Sequence, residues 1–459
     1  MKTRTFRRGG VYPPDCKHYT DKKSIEAVFP AEGEHMRYAL SQHIGEACVP
    51  VVRTGERVLA GQKIADSKAA VSAPVHASVS GIVRGFTDTL VPSGNTVTAI
   101  VVENDGLCEN HPGVLPENIQ DESIARLKPE YIISAIREAG IVGLGGAGFP
   151  THIKLSPPKD RVIEYIIVNA CECEPYLTGD HRIMLEEREC AITGLKIIMR
   201  LFPAAKGIIA VGSNKMNAVN MLGNACAGER GIEVAALASR YPQGSEKQLI
   251  QACTRRNVPD GGLPSDIGCI VINISTVVSV ERAVRRREPL TRRVITVAGG
   301  AIARPGNYEA PIGLSFDALV EAAGGFRKSP VKFIFGGPMT GVSLHNIDIP
   351  VTKTSAGLLC LTQKEAYIPP EKNCIRCGKC AARCPMGLFP YDLNKYAIAA
   401  DDGMFAEING AACIGCGSCT YICPAKRHLT QSIRDAQKRV VLRAGRPRSQ
   451  RGGDTEYGG

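Results

Sequence analysis

Two cysteine runs near the C-terminus carry the plainest chemistry in this sequence. The first is Cys374-Ile-Arg-Cys377-Gly-Lys-Cys380-Ala-Ala-Arg-Cys384-Pro385, and the second is Cys413-Ile-Gly-Cys416-Gly-Ser-Cys419-Thr-Tyr-Ile-Cys423-Pro424. Thiolates are soft, charged ligands, and four at tetrahedral positions suit iron–sulfur groups or zinc. The repeated C-x2-C-x2-C-x3-C-P spacing belongs to two-cluster iron–sulfur proteins, in which the fourth cysteine of each run ligates the other cluster. It predicts one [4Fe–4S] cluster on Cys374, Cys377, Cys380 and Cys423, and a second on Cys413, Cys416, Cys419 and Cys384. Zinc would not require two mutually completing runs. Cys16, Cys48, Cys108, Cys190, Cys226, Cys253, Cys269 and Cys360 are scattered singly and read as ordinary thiols, many of them buried.

A second constellation is the loop Gly143-Leu144-Gly145-Gly146-Ala147-Gly148-Phe149-Pro150, followed by Thr151-His152-Ile153-Lys154. A Rossmann loop follows a strand and opens a helix. Here a helical pattern precedes the loop and Phe149-Pro150 interrupts any helix after it, so a Rossmann site is excluded. Successive backbone N–H groups in such a loop can still hold a phosphate, with Lys154 as a cation behind them. An apolar strand over 163–168 then delivers Asn169-Ala170-Cys171-Glu172-Cys173-Glu174-Pro175 at its C-terminal end, where α/β proteins bind ligands. Asn169 can satisfy a planar ring or a ribityl hydroxyl, and Glu172 or Glu174 can accept from ribose hydroxyls. His152 and His181 read as surface or loop histidines, and no acid–base residue is nominated.

The elements that must position these residues fall into a multidomain α/β and α+β chain. Its 459 residues suffice for about three ordinary domains. Residues 1–128 alternate short strands with glycine turns and predict a β-rich barrel-sandwich-like domain. That stretch resembles a biotinyl/lipoyl-type domain with Lys68 near the modified position; lacking an Asp-Lys pair at the turn, it reads as scaffold. Residues 129–290 alternate helix and strand, with helices over 132–139, 214–226, 246–254 and 275–285. Residues 291–359 predict a small α+β module whose helix over 315–323 ends at Gly324-Gly325. Residues 360–442 form the two-cluster ferredoxin-like domain, with a helix from about 429 to 442, and 443–459 a disordered basic tail.

Net charge is +11, and nine basic against three acidic residues follow Pro424. The bland reading is a solvated helix and tail; the alternative is contact with anionic lipid or an acidic protein. Basic residues without interleaved aromatics argue against nucleic acid. The longest apolar stretch, Cys269 to Val280, has 12 residues, where a membrane span needs about 20. The basic N-terminus lacks an apolar run after it, which with 18 cysteines predicts a reducing, cytoplasmic setting.

Taken as a set, the glycine loop, the 169–175 segment and the double cysteine motif resemble the C subunits of Rnf electron-transport complexes. Gly9-Gly10, Ser41-Gln42-His43-Ile44-Gly45, Ala73-Pro74-Val75-His76 and Ala425-Lys426-Arg427 extend the likeness over nearly the whole chain. The middle domain is similar to the NADH-binding flavoprotein subunit of respiratory complex I. That resemblance implies a non-Rossmann flavin/nucleotide domain in which Gly143, Gly145, Gly146, Gly148 and Lys154 hold FMN. It places Asn169 and Asp180 beside the flavin, turns Glu172 and Glu174 toward NAD(H), and adds Asn273 and Thr276 from a stretch like that family's Asn-Val-Glu-Thr. Cys171 and Cys173 stand where the relative has Asp and Gly, and Gly244-Ser245-Glu246-Lys247 only loosely echoes its Gly-Glu-Glu-Thr. Residues 291–359 resemble a soluble-ligand-binding β-grasp module, expected here to pack rather than bind.

The resemblance implies an NAD-linked oxidoreductase subunit with FMN and two [4Fe–4S] clusters. It would be peripheral to the cytoplasmic face of a membrane complex that couples electron transfer between ferredoxin and NAD to Na+ or H+ translocation. Its partners would be other subunits and, indirectly, ferredoxin. Two alternatives stay open on sequence alone: a soluble flavin/iron–sulfur carrier serving a reductase, and a cluster-carrying adaptor that has lost its nucleotide.

Overall fold

The computed structural model describes residues 3–92, 94–114 and 124–445. They form two compact units. One comprises Pro14–Ser239 and Gln243–Tyr367 with residues 3–5; the other comprises Phe6–Pro13, Arg240–Pro242 and the chain from Ile368 onward.

In the first unit, short alternating strands build two small antiparallel sheets. His35–Ala39, Thr96–Asn104, Gly81–Leu90 and Arg57–Val58 form one, and Val49–Pro50, Lys63–Asp66 and Val75–His76 the other. Met36, Tyr38, Val58, Ile64, Val83, Ile100 and Val102 point inward and are fully buried, as a period of two with one buried face requires. Ile25–Ala27 leaves this region and pairs in parallel with Gly306–Pro311. It thereby becomes an edge strand of a six-stranded sheet otherwise built from residues beyond 291.

The middle of the unit is a four-stranded parallel sheet in the order Ile232–Leu237, Lys206–Gly212, Tyr165–Ala170, Cys269–Asn273. Its β-branched runs are buried on both faces, as parallel strands under helices must be. The strand order reverses between Tyr165–Ala170 and Cys269–Asn273, which places Asn169 level with Asn273 at the carboxyl ends. The apolar stretch from Cys269 to Val280 is divided at Asn273. The Asn273 side chain accepts from Ser275 N–H, stops the strand and caps the helix Ile274–Arg286. That helix buries Val277, Val280 and Val284 against the helix Arg188–Leu201. Closest approach is at Gly194, where a Cβ would stand 2.2 Å from the Val277 carbonyl oxygen.

Beyond 291 the strands Arg292–Ala298, Gly306–Pro311, Lys332–Phe335, Val342–Leu344 and Gly357–Leu361 complete the six-stranded sheet. The helix Phe316–Ala322 is capped by Ser315 and followed by Gly324 and Gly325, both at positive φ. One hydrophobic core runs from Val28 through the parallel sheet to Cys360. The three modules expected on either side of residues 128 and 290 are therefore fused over a shared interior.

The second unit packs Leu388, Leu393, Ala397, Phe405, Ile433 and Ala436 together beneath the helices Pro390–Ile398, Asp402–Glu407 and Leu429–Gly445. The basic helix is not simply solvated: Arg434 donates to the Gly415 carbonyl at 2.6 Å, and Arg439 and Arg443 each reach buried Asp402 at 3.0 Å. The helix also takes in 443–445. The remainder of the expected tail, 446–459, lies outside the described residues.

Candidate functional site

The glycine loop closes on itself before it meets any ligand. Gly143 N–H donates to the Phe149 carbonyl at 2.8 Å, and Gly148 N–H donates to the Gly143 carbonyl at 3.0 Å. Gly146 and Gly148 stand at φ of 105° and 67°, which favours glycine. Gly148 also packs where a Cβ would lie 2.9 Å from Thr354. Buried Thr276, in the first turn of the helix Ile274–Arg286, accepts from Leu144 N–H at 2.9 Å and fixes the loop over the sheet.

Between the loop and the strand ends lies a cleft of about 150 Å³, partly open to solvent. Of the expected residues, Gly145, Asn169, Glu172, Glu174, Asp180 and Asn273 line it; Gly143, Gly146, Gly148, Lys154 and Thr276 do not. Lys154 is engaged elsewhere, by Glu246 at 3.0 Å and the Val271 carbonyl at 3.1 Å. Cys173, Gly244 and Arg293 also line the cleft, and Arg293 carried no local sequence signal.

The polar groups are held tightly. Asn169 donates to the Gly244 carbonyl at 2.8 Å and accepts from Cys171 N–H at 3.2 Å. Asp180 accepts from Asn273 at 2.7 Å and from the Ser275 hydroxyl at 2.6 Å. Glu174 turns toward the C-terminal module, accepting from Met339 N–H at 3.0 Å and Thr340 Oγ1 at 2.5 Å. Glu172, at φ 41°, accepts from Asp180 N–H at 2.7 Å. Its other oxygen makes no hydrogen bond and sits 3.6 Å from Lys17 and 3.9 Å from Lys215. Burial pushes the Glu172 carboxyl up to about 7, against the pull of the two lysines. Burial, with Lys17 adding to it, lowers Lys215 to about 8.

Both lysines grip the outer side of the 171–177 segment. Lys17 donates to the Glu174 carbonyl at 3.0 Å and also to that of Leu177. Lys215 donates to the Cys171 carbonyl at 2.8 Å. Burial raises Cys173 to about 11 and pushes Cys171 well above the ordinary thiol value, so both stay neutral thiols at pH 7. His181, expected on the surface, is buried on the helix Gly179–Glu186, with Nε2 3.0 Å from Asn217 Oδ1. His152 is half-buried on a short turn.

These residues fit a flavin mononucleotide. Side-chain-free walls at Gly145 and Gly244 leave room where a Cβ would crowd Asn273 or Cys173, at 3.3 and 3.1 Å. The ordered amides of Asn169 and Asn273 supply hydrogen-bonding groups for ring and ribityl chain.

In the second unit, Cys384, Cys413, Cys416 and Cys419 line one small cavity with Leu388, Leu393 and Ile433. This is the second expected ligand set, with its crossover cysteine. Among the described residues no three His, Cys, Asp or Glu side chains are placed to hold a single metal ion, as zinc would need with sulfurs at about 2.3 Å, so the four thiols suit a polynuclear cluster better. The donor set fits [4Fe–4S], and Gly415 N–H already points at Cys413 Sγ, 3.4 Å away. Of the first set, Cys380 packs against Cys423, while Cys374 and Cys377 are exposed. Sequence reasoning overlooked what Gly9-Gly10 does here. Gly10 N–H donates to the Arg383 carbonyl at 2.9 Å, and Gly9, at φ 69°, passes so close that a Cβ would meet the Cys384 carbonyl at 2.4 Å. Tyr241 supports the second run by donating to the Cys416 carbonyl at 2.7 Å.

Comparison with known proteins follows the same divisions. Family models match for an RnfC barrel sandwich hybrid domain over 5–107, a Nuo51 FMN-binding domain over 136–282, an SLBB domain over 294–343 and a 4Fe-4S dicluster domain over 373–428. The chain is 41% identical over 441 residues to the C subunit of the Na(+)-translocating ferredoxin:NAD(+) oxidoreductase complex of Acetobacterium woodii, covering 96% of this chain and 98% of that one. It is 43% identical over 388 residues to the C subunit of the proton-translocating ferredoxin:NAD(+) oxidoreductase complex of Clostridium ljungdahlii, covering 84% and 83%. Among solved structures, an air-oxidized NAD+-reducing [NiFe]-hydrogenase matches with a TM-score of 0.51 and 21% identity, over 71% of this chain and 65% of that one, a likeness of fold.

Proposed function

The chain belongs to the family of C subunits of Rnf-type, ion-translocating ferredoxin:NAD oxidoreductase complexes, and from that premise we propose how its residues divide the work. It is an NAD-linked oxidoreductase subunit that links NAD(H) and ferredoxin through FMN and two [4Fe–4S] clusters. Other subunits of the complex are its partners. When bound, flavin supplies the exchange between hydride and single electrons that the clusters cannot perform alone.

The reading rests on one observation above all. A cleft lies at the reversal point of a parallel sheet, where ligands bind in such sheets, and carries Asn169, Asp180 and Asn273 at fixed positions. In this scheme Gly145 brings backbone close to the flavin, and Asn169, Asp180 and Asn273 orient it. Glu172 faces the nicotinamide nucleotide, its charge and position set by Lys17 and Lys215. Gly143, Gly146, Gly148 and Thr276 shape the loop. Glu174 ties the nucleotide-facing segment to the C-terminal module. Lys154 is paired with Glu246 and stands outside the cleft lining. The Cys173 thiol keeps its part of the pocket wall neutral. The eight cysteines hold the clusters in the crossed arrangement, Cys374, Cys377, Cys380 and Cys423 on one and Cys413, Cys416, Cys419 and Cys384 on the other. The domain limits at 128 and 290 are proposed as expected, while the limit at 359 moves past the strand Gly357–Leu361 and that at 442 past the helix ending at Gly445.

No described helix is long and apolar enough to cross a membrane. We place the chain peripherally, on the cytoplasmic face, held by membrane-spanning partners that couple its electron transfer to Na+ or H+ movement. Anaerobic purification in mild detergent tests both parts at once. About eight irons and one FMN per chain are expected, together with integral-membrane chains. Cys384→Ser should leave about four irons, retain FMN and remove one cluster's signal. Full iron in that variant would break the crossed assignment.

A further inference from the structure

Lys154, the cation expected behind the glycine loop, is paired with Glu246 and stands outside the cleft lining. The cleft nevertheless holds a cation. Arg293, near the start of the strand Arg292–Ala298, reaches it from the module expected only to pack, and its side chain is buried with 4% exposure. Its Nε donates to the Ser355 carbonyl and its Nη2 to the Leu144 carbonyl, each at 3.0 Å. Those bonds use two of five N–H donors. Among the described residues, no carboxylate lies within ion-pairing distance of its guanidinium.

The three acids of the cleft have other partners. Glu172 lies between Lys17 and Lys215, Glu174 is bonded to Met339 and Thr340, and Asp180 is bonded to Asn273 and Ser275. Asp180 is the charge that favours the guanidinium from a distance; burial outweighs it and lowers Arg293 to about 10. A buried guanidinium without a counter-ion is costly and calls for an anion from outside the chain. The same cleft contains Gly145 of the loop and Asn273, which opens the 13-residue helix Ile274–Arg286, so N–H groups and a helix dipole converge on one region.

We propose that Arg293 is the phosphate-binding residue of the flavin site: its guanidinium, fixed to the glycine loop through the Leu144 carbonyl, takes the phosphoryl group of FMN. The inference rests on the flavin reading given above. It gives the module over 291–359 a direct share in cofactor binding.

Riboflavin has the ring and ribityl chain of FMN without the phosphate, so the pair isolates this contact. Full-length protein stripped of flavin is titrated with each, following flavin fluorescence. The native protein should prefer FMN by well over tenfold. Arg293→Gln should lose about tenfold or more of that preference, the worth of a charge-assisted hydrogen bond, while its riboflavin affinity changes little. Arg293→Lys should recover part of it. Full FMN preference in Arg293→Gln would overturn the proposal, and if NADH affinity fell instead, the cation would belong to the dinucleotide pyrophosphate. A native protein that bound neither flavin would remove the flavin reading itself, a different failure. Should the variants not fold, phosphorus NMR of FMN on the native protein decides. A phosphate held by Arg293 stays dianionic below pH 6, whereas titration like a free monoester, at a pKa of about 6, contradicts the proposal.

Discussion

At the residue scale, what the sequence made legible were groups whose partners are neighbours in the chain. The eight cysteines proposed as cluster ligands stand out by spacing, a pattern in which each run wraps one cluster locally and crosses over at one position. Cys384 lines one cavity with Cys413, Cys416 and Cys419. Lys154 and Arg293 show the converse. Lys154 lies close to the glycine loop in sequence but turns to Glu246, while Arg293 lies 149 residues from Leu144 and holds its carbonyl. Glu172 adds a prediction at this scale. Burial raises its carboxyl from the ordinary 4.5 to about 7. The folded state therefore keeps a proton that the unfolded state has released, and stability from this group falls as pH rises between 4.5 and about 7. Glu172→Gln should flatten that part of the stability curve. Parallel slopes for native protein and variant in urea unfolding across this window would show that Glu172 does not titrate there.

At the element scale, helices and buried strands were legible where periodicity or capping was strong. The helix Glu246–Thr254 spans the expected residues, and Ser315 and Gly324 bracket their helix as capping chemistry dictates. The strand Ile25–Ala27 was not legible, because its pairing with Gly306–Pro311 is a tertiary event with no local mark. Nor was the contact Thr276 makes: the family likeness picks out the residue, but nothing local shows that its hydroxyl receives Leu144 N–H. The helix carrying Thr276 is seated against Arg188–Leu201 at Gly194, so the contact bears on the glycine loop as well as the core. Gly194→Ala would drive a methyl to within 2.2 Å of the Val277 carbonyl oxygen. Overpacking of this kind costs about 1–3 kcal/mol. Thermal unfolding should show a lower midpoint together with weakened flavin retention, whereas an unchanged midpoint would mean the helices separate freely there.

At the scale of the whole molecule, the fold class and the order of modules were readable from composition shifts and motifs. The degree of fusion was not. A single core extends from Val28 to Cys360, and Phe6–Pro13 and Arg240–Pro242 join the cluster unit although far from it in sequence. Such long-range returns leave only glycines as a trace, and Gly9-Gly10 is one of them. Much of the net charge is likewise structural, since Arg434, Arg439 and Arg443 are bonded within the cluster unit. The central claim is that this one chain takes electrons from NADH at a flavin and carries them on two clusters. The most direct test is anaerobic addition of NADH to the flavin- and iron-loaded full chain, followed by visible absorbance and low-temperature EPR. Bleaching of the flavin band with the appearance of reduced-cluster signals is the result expected. A flavin band and cluster signals that remain those of the oxidised protein would contradict it.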